Sequence, residues 1–277
     1  MQKKIFTLLN KTNLNLFLLI IFLAFMLVSC ATTPPPVIPK PAKIAVVLGA
    51  GASKGFSHIG VLKVLEAQKV PIHMIVGTSA GSLVGSLYAS GKTAFELQGI
   101  AMKMESDNII DYDWKLWKGG LIKGEKIEKF INENVHHSPI EKLKIRYYAV
   151  ATNAATGEEV VFSRGNTGMA VHASCSVPGV FQPLKIGNAT YIDGAVVSPV
   201  AVDVARRNGA DIVIAVDISG GMRNTVPNGI MDTMEKSIDI MYARIAEYQI
   251  KNADIVIRPK MKSIGATDLD KFNEAIF

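Results

Sequence analysis

The sequence predicts an α/β fold built around a mainly parallel central sheet. Two short apolar runs that end in glycine, residues 43–49 and 72–77, are typical of buried parallel strands. A predicted helix follows each run: residues 58–69 have apolar residues at helical spacing, and residues 80–91 are rich in small residues and end at Gly91. Strands that alternate with helices in this order join into a parallel sheet through right-handed crossovers.

The rest of the chain continues this alternation. Residues 93–143 are predicted to be mainly helical. Further strands are predicted at 145–156, 158–163, 211–219 and 254–259, with another that ends at 192–195, and further helices at 200–210 and 230–250. Residues 43–277 contain no internal repeat and no linker, so they are predicted to form one domain, with its main motifs between 43 and 219.

The composition is that of a globular protein. Of the 277 residues, 49% are hydrophobic and 19% are charged, which provides enough apolar material for a large core. The formal net charge is +6, and three of the positive charges, Lys3, Lys4 and Lys11, lie near the N-terminus. Since the sequence contains no long basic run and no aromatic-basic platform, we expect no nucleic-acid partner.

The N-terminus has the features of a lipoprotein signal peptide. Residues 1–12 are basic, and residues 14–28 are apolar apart from one asparagine. This run is shorter than the roughly 20 apolar residues of a spanning helix. The sequence Leu27-Val28-Ser29-Cys30 resembles the bacterial lipobox, which implies removal of residues 1–29 and lipidation of Cys30. The alternative is an uncleaved N-terminal helix with a chance cysteine.

Residues 30–42 are predicted to be a tether between the lipid and the domain. Five prolines in this segment exclude a helix and favour an extended polyproline II conformation. Several acyl chains on Cys30 would hold the protein at a membrane, since each buried CH₂ contributes about 0.8 kcal/mol. Ala31, where an aspartate would imply retention in the inner membrane, favours the periplasmic face of the outer membrane in a bacterial cell envelope.

The clearest chemical motif is Gly77-Thr78-Ser79-Ala80-Gly81, a G-x-S-x-G between a predicted strand and a predicted helix. This context is that of a nucleophile elbow, in which the glycines let strand and helix approach closely. The following helix N-terminus favours developing negative charge. Ser79 is therefore predicted to be a nucleophile, with an ordinary tight turn as the alternative.

A serine nucleophile needs a base. In α/β-hydrolases a histidine follows the acidic residue, but none of the five histidines follows Asp193. Asp193 ends a predicted strand and precedes Gly194, which permits a sharp turn. Its carboxylate could act as the base directly if the fold brings it within hydrogen-bond reach of Ser79. An Asp-Gly pair is also an ordinary turn signal.

The loop after the first strand is a candidate oxyanion site. Its small residues leave backbone N–H groups uncovered, and N–H groups aimed at one point stabilise an oxyanion. The candidate donors are Gly51, Ala52 and Ser53, and the supporting residues of the loop are Gly49, Lys54 and Gly55.

These motifs, in this order, resemble the patatin-like phospholipase family over about residues 43–219. The match consists of the loop that ends in Lys54-Gly55, the stretch 77–81, the segment 173–183 and the sequence that begins at Asp193. The resemblance implies a three-layer α/β/α sandwich and a Ser79–Asp193 dyad. It also implies esterase or phospholipase A activity without a metal or another cofactor.

The loop departs from the stricter family pattern at Ala50 and Ala52, which are glycine there. Alanine still donates its N–H but is disfavoured at positive φ. The choice of oxyanion donors among Gly51, Ala52 and Ser53 therefore stays open. The basic side chain of Lys54 has either an electrostatic or a structural role.

Several other patterns resemble known motifs incompletely or are explained by packing. Gly91-Lys92-Thr93 lacks the earlier glycine of a P-loop, and the first loop lacks the third glycine of a dinucleotide fingerprint. The pair His136-His137 has no cysteine nearby, so we expect no metal. Cys175 is predicted to be a small core residue. Trp114 and Trp117 are hypothesised to rim the site at a lipid interface, with ordinary packing as the alternative.

Taken together, the residues and the resemblance predict a membrane-anchored serine esterase that acts on a phospholipid or lysophospholipid. Two alternatives stay open. One is acyl transfer, in which an alcohol replaces water. The other is a non-catalytic lipid-binding or scaffold lipoprotein on the same fold.

Overall fold

The computed structural model of the chain describes residues 14, 16–23, 41–103, 110–112, 120–220, 226–260 and 276. The chain divides into two compact units, Met1–Pro41 and Ala42–Phe277. In the first unit, residues 16–23 are helical. No helix within the described residues is both long enough and apolar enough to cross a membrane. Cys30, Trp114 and Trp117 lie outside the described residues, so the predictions made for them stay predictions.

The described part of the second unit is built on an eight-stranded mixed sheet. Its strands are β1 (Ile44–Leu48), β2 (Ile72–Thr78), β3 (Arg146–Asn153), β4 (Glu159–Phe162), β5 (Leu184–Ile186), β6 (Ala189–Asp193), β7 (Ile212–Val216) and β8 (Ile255–Ile257). β3, β2, β1, β7 and β8 lie side by side in that order and run parallel. β4 and β6 pair with β3 in the antiparallel sense, and β5 pairs with β6 in the same way. The predicted mainly parallel sheet is confirmed, with antiparallel strands at one margin.

Short turns account for the antiparallel pairs. β3 and β4 are joined by a turn in which Asn153 Oδ1 accepts from the Ala155 N–H at 2.9 Å, and Gly157 adopts a φ of 74°. β5 and β6 are joined by Gly187, with a φ of 60°, and Asn188. Connections this short join antiparallel neighbours, whereas parallel neighbours need a longer crossover.

Helices cover both faces of the sheet. They are α1 (Ser57–Ala67), α2 (Ala80–Ala89), α3 (Ala94–Met102), α4 (Glu125–Asn134), α5 (Thr167–Ser174), α6 (Val202–Arg207) and α7 (Ile230–Gln249). Val46 and Leu48 of β1 pack with residues of α1 to α5 in one apolar core. Ala45 and Val47 point to the other face and pack with residues of α6 and α7 in a second core. The result is the predicted three-layer α/β/α sandwich.

Two elements were not predicted, α5 and β5. Helix α5 is only eight residues long, contains Gly168, and is buried on most sides, so it has no periodic apolar face. It begins where the Asn166 side chain accepts from the Met169 N–H at 2.9 Å. β5 has three residues and forms only by pairing with β6.

Candidate active site

Ser79 lies at a strained turn between β2 and α2. Its φ of 54° and ψ of −124° are unfavourable for a residue with a side chain, and its exposed fraction is 6%. The flanking glycines permit the turn. A Cβ on Gly77 would lie 2.5 Å from the Gly81 carbonyl oxygen, and a Cβ on Gly81 would lie 2.0 Å from that of Leu48. The strand and helix therefore approach closely enough to hold Ser79 at a sharp elbow.

The backbone of the elbow is held by two buried hydroxyl groups. The Ser79 N–H donates to Ser174 Oγ at 2.9 Å, and the Ser174 hydroxyl donates to the Val150 carbonyl of β3 at 2.6 Å. Ser82 Oγ donates to the Ser79 carbonyl at 2.7 Å. Ser174 belongs to the segment 173–183 noted in the sequence, but its contact with the elbow could not be inferred there.

Asp193 ends β6 and is fully buried. Its N–H donates to the Ser176 carbonyl at 2.9 Å, and its Oδ1 accepts from the Ala195 N–H at 2.8 Å. Gly194 is required next, because a Cβ there would lie 2.2 Å from the Val150 carbonyl oxygen. The second carboxylate oxygen, Oδ2, has no hydrogen-bond partner among the described residues. Oδ1 is thus held by a backbone N–H, whereas Oδ2 is left without a hydrogen bond among the described residues.

The structure brings Asp193 and Ser79 together. Burial raises the pKa of Asp193 to about 7, and this rise is opposed by the Ser79 hydroxyl and the Ala195 N–H, which stabilise the charged form. The Ser79 hydroxyl therefore lies near the carboxylate, although Oδ2 lacks a hydrogen bond of good geometry. Such contacts are often loose in a site without substrate.

The loop of residues 49–55 lies directly against the elbow. The Gly49 N–H donates to the Val216 carbonyl at 3.0 Å, and the Ala50 N–H donates to the Pro199 carbonyl at 2.9 Å. A Cβ on Gly55 would lie 2.6 Å from the Cβ of Ala80, the residue after Ser79. The loop is thus anchored at its start and in contact with the elbow at its end.

The candidate oxyanion donors lie between these two points. The N–H groups of Gly51 and Ala52 have no acceptor among the described residues, and the buried Ser53 follows them in a 3₁₀ helix over Ala52–Phe56. Ala52 adopts a φ of 50°, in the positive range that is unfavourable for alanine. Lys54 Nζ donates to the Gly220 carbonyl at 3.1 Å, which links the loop to the segment after β7.

A buried histidine of α1 contacts the start of the same loop. His58 Nε2 lies 2.8 Å from the Gly49 carbonyl oxygen. Burial lowers the pKa of His58 to about 4, so the ring is neutral at pH 7 and donates its Nε2–H to that oxygen. The sequence contains His58 at the start of a predicted helix, with no local sign of this contact.

Cys175 is a core residue, as predicted. It is buried with the first apolar core, and its Sγ lies 3.8 Å from Ser82 Oγ. Burial raises the pKa of the Cys175 thiol, so it stays protonated and is a poor nucleophile.

Comparison with known proteins places these features in a family. The Patatin family model, described as patatin-like phospholipase, matches residues 46–206. An NTE family protein from Mycobacterium tuberculosis (strain ATCC 25618 / H37Rv) is 30% identical over 201 residues, covering 71% of this chain and 56% of that protein. Lysophospholipase NTE1 from Debaryomyces hansenii is 30% identical over 197 residues, covering 69% of this chain and 13% of that protein.

The chain therefore spans about half the length of the mycobacterial relative and a small part of the yeast relative. Among solved structures, VipD from Legionella pneumophila aligns with a TM-score of 0.46 at 12% identity, covering 86% of this chain and 66% of that chain. The family match includes the loop, Ser79 and Asp193 and extends over more than half of the sequence. The chain belongs to the patatin-like phospholipase family.

Proposed function

We propose that this protein is a serine hydrolase that cleaves acyl esters of phospholipids or lysophospholipids, with Ser79 as nucleophile and Asp193 as base. The observation that carries the proposal is the buried Oδ2 of Asp193, which has no hydrogen-bond partner among the described residues and lies near the hydroxyl of Ser79, a residue with a strained backbone. A buried carboxylate without a full set of hydrogen bonds costs stability. This arrangement is explained if the second oxygen is reserved for a proton taken from Ser79.

The geometry supports a two-step reaction. Asp193 takes the proton of the Ser79 hydroxyl as Ser79 Oγ attacks the ester carbonyl carbon, and the loop amides of Gly51, Ala52 or Ser53 stabilise the resulting oxyanion. The alcohol part of the lipid leaves with the proton, and Ser79 carries the acyl group. Water then attacks the acyl-enzyme, and the fatty acid leaves.

The substrate class rests on the family and on its relatives' names. The family description is a phospholipase, and the yeast relative is named a lysophospholipase. We extend this class to the present chain as part of the proposal. We also propose that lipidated Cys30 and the tether of residues 30–42 hold the domain at a bacterial membrane, so that it meets its substrate at the lipid surface.

Labelling with a fluorophosphonate probe tests the dyad directly. We expect the protein to be labelled, and we expect labelling to be lost in Ser79→Ala and strongly reduced in Asp193→Asn. Ser90→Ala and Asp203→Asn are matched controls that should label normally, since their side chains bond away from the elbow, to Leu87 and Asn252 respectively.

Release of fatty acid from phosphatidylcholine and lysophosphatidylcholine vesicles then tests the substrate class. A folded protein that does not label in the presence of vesicles would overturn the hydrolase proposal in favour of a lipid-binding role. Normal labelling with no fatty acid released from either lipid would overturn only the substrate class.

A further inference from the structure

Helix α7 directs one face toward the segment that follows Asp193. Tyr242, Ala246 and Gln249 are spaced i, i+4 and i+7, so they lie on the same face. Ala246 is fully buried, and Gln249 Nε2 donates to Ser198 Oγ at 3.0 Å. Tyr242 is about two helical turns before Gln249 on this packed face.

An earlier turn of α7 approaches the segment that precedes Asp193. Met234, eight residues before Tyr242, has its Cε 4.0 Å from the position of a Cβ on Gly179. Gly179 belongs to the segment that leads from α5 to β5, and α7 also contacts the turn of residues 194–196 after Asp193. Helix α7 therefore lies beside segments that come before and after Asp193, and Tyr242 lies along the helix between the half-exposed Met234 and the hydrogen-bonded Gln249.

Tyr242 has a buried hydroxyl group without a partner. Its Oη and Asp193 Oδ2 are two of the three buried side-chain atoms that have no hydrogen-bond partner among the described residues. An unsatisfied buried polar group costs about 1–3 kcal/mol. The buried Tyr147, by contrast, donates to the Ser82 carbonyl at 2.8 Å. Apolar packing alone does not explain why the Tyr242 hydroxyl is buried without a hydrogen bond.

The carboxylate and the phenol interact without touching. Burial raises the pKa of Tyr242, and the charge of Asp193 raises it further, followed by that of Asp239 on the preceding turn. Neither Oη nor Oδ2 has a hydrogen-bond partner among the described residues, so the two atoms do not bond to each other directly. A small molecule that bonds to both atoms would satisfy both of them.

We propose that Tyr242 positions the water that hydrolyses the acyl-enzyme, holding it between its own hydroxyl and Asp193 Oδ2. This inference rests on the proposed function. The water accepts a hydrogen bond from the Tyr242 O–H with one lone pair and donates one proton toward Asp193. Its second lone pair is then free to attack the acyl carbon on Ser79. The role of Tyr242 is confined to the second half of the reaction.

The water oxygen forms a bond to the acyl carbon while Asp193 takes a proton from the water. The tetrahedral intermediate then collapses, the bond between Ser79 Oγ and the acyl carbon breaks, and Asp193 returns the proton to Ser79. The products are a carboxylic acid and the free enzyme. Tyr242 donates a hydrogen bond throughout and undergoes no net change.

Tyr242→Phe separates the two halves of the reaction. We expect the rate of fluorophosphonate labelling to stay within about twofold of wild type, because labelling needs only the first half. With a p-nitrophenyl ester, we expect a full burst of nitrophenol followed by turnover that is about ten- to a hundredfold slower. Intact-protein mass spectrometry should then detect the acyl group on the variant. Hydroxylamine, a stronger nucleophile than water, should restore turnover.

Tyr248→Phe is the matched control, since Tyr248 lies on the same helix but is 72% exposed. It should label and turn over like wild type. The inference is overturned if Tyr242→Phe turns over normally. It is also overturned if labelling and turnover fall together while the thermal unfolding temperature is unchanged, because Tyr242 would then act on Ser79 itself. Absence of labelling in the wild type would instead refute the proposed function.

Discussion

At the scale of single residues, the protonation state of Asp193 determines when the site can work. Burial raises the pKa of this carboxyl group to about 7, and only the ionised form can take a proton from Ser79. We therefore expect kcat/KM for a p-nitrophenyl ester to fall as the pH decreases through about 7, with a slope that corresponds to one proton. The measurement is a pH–rate profile between pH 5 and pH 9.

A histidine would titrate in the same range, so the group must be identified. His58 is excluded because burial lowers its pKa to about 4. Addition of an organic cosolvent raises the pKa of a neutral acid such as a carboxyl group but leaves that of a cationic imidazole nearly unchanged. An inflection near 7 that moves upward with cosolvent would support Asp193, whereas an inflection that stays in place, or a flat profile, would contradict this prediction.

The sequence predicts the residues that carry motifs, but not the residues that support them. Ser79 and Asp193 lie in short motifs with a local signature, so they can be predicted as site residues from the sequence. Ser174 and His58 have no such signature, because each supports the site through a hydrogen bond to another element. The buried, unpartnered hydroxyl of Tyr242 has none either. Only the folded arrangement reveals these contacts.

At the scale of elements, Ser174 joins helix α5 to the elbow and to β3. Ser174→Ala would remove the acceptor of the Ser79 N–H and one donor to the Val150 carbonyl. We expect the free energy of unfolding to fall by about 1–3 kcal/mol. Because the strained backbone of Ser79 would be less firmly held, we also expect kcat to fall about tenfold with little change in KM. Chemical denaturation and ester kinetics measure the two effects.

Ser86→Ala provides the comparison for this variant. Ser86 is fully buried, and its hydroxyl donates only within its own helix, to the Leu83 carbonyl at 2.9 Å. Its loss should lower stability without a matching loss of kcat. Equal losses of kcat in the two variants would mean that any buried hydroxyl near the elbow has the same effect, which would contradict a specific role for Ser174.

Elements with a clear apolar period could be predicted from the sequence, whereas elements formed by pairing or by burial alone could not. β1, β2, α1 and α2 occur close to their predicted positions because strand and helix periods are visible there. The sequence predicts mainly helix over 93–143, yet Tyr112 and Ile122 form an isolated β-bridge. α5 and β5 were missed because their residues are few and take their structure from neighbouring elements.

At the scale of the whole molecule, strand register explains how two distant motifs meet. Thr78 pairs with Val150 across β2 and β3, and Ala151 pairs with Asp193 across β3 and β6. Asp193 therefore lies at the same height in the sheet as Ser79, two strands away. Because β6 runs antiparallel, its carboxyl end reaches Ala151, near the carboxyl end of β3. No sequence period encodes this register, so the proximity of the two residues could only be expected from the family resemblance.

Attachment to a membrane is also a property of the whole molecule, and it depends on Cys30 in the proposal above. We expect the protein expressed in a bacterial host to incorporate a clickable fatty acid, because a lipobox cysteine is acylated, and we expect Cys30→Ser to lose this label. Cys175→Ser is the matched control, since the thiol of Cys175 is buried in the core and should not be acylated.

The measurement is in-gel fluorescence together with the protein's mass, which should show loss of residues 1–29 only when Cys30 is present. A label that persists in Cys30→Ser would contradict the lipobox, and a wild type without label would favour the uncleaved helix.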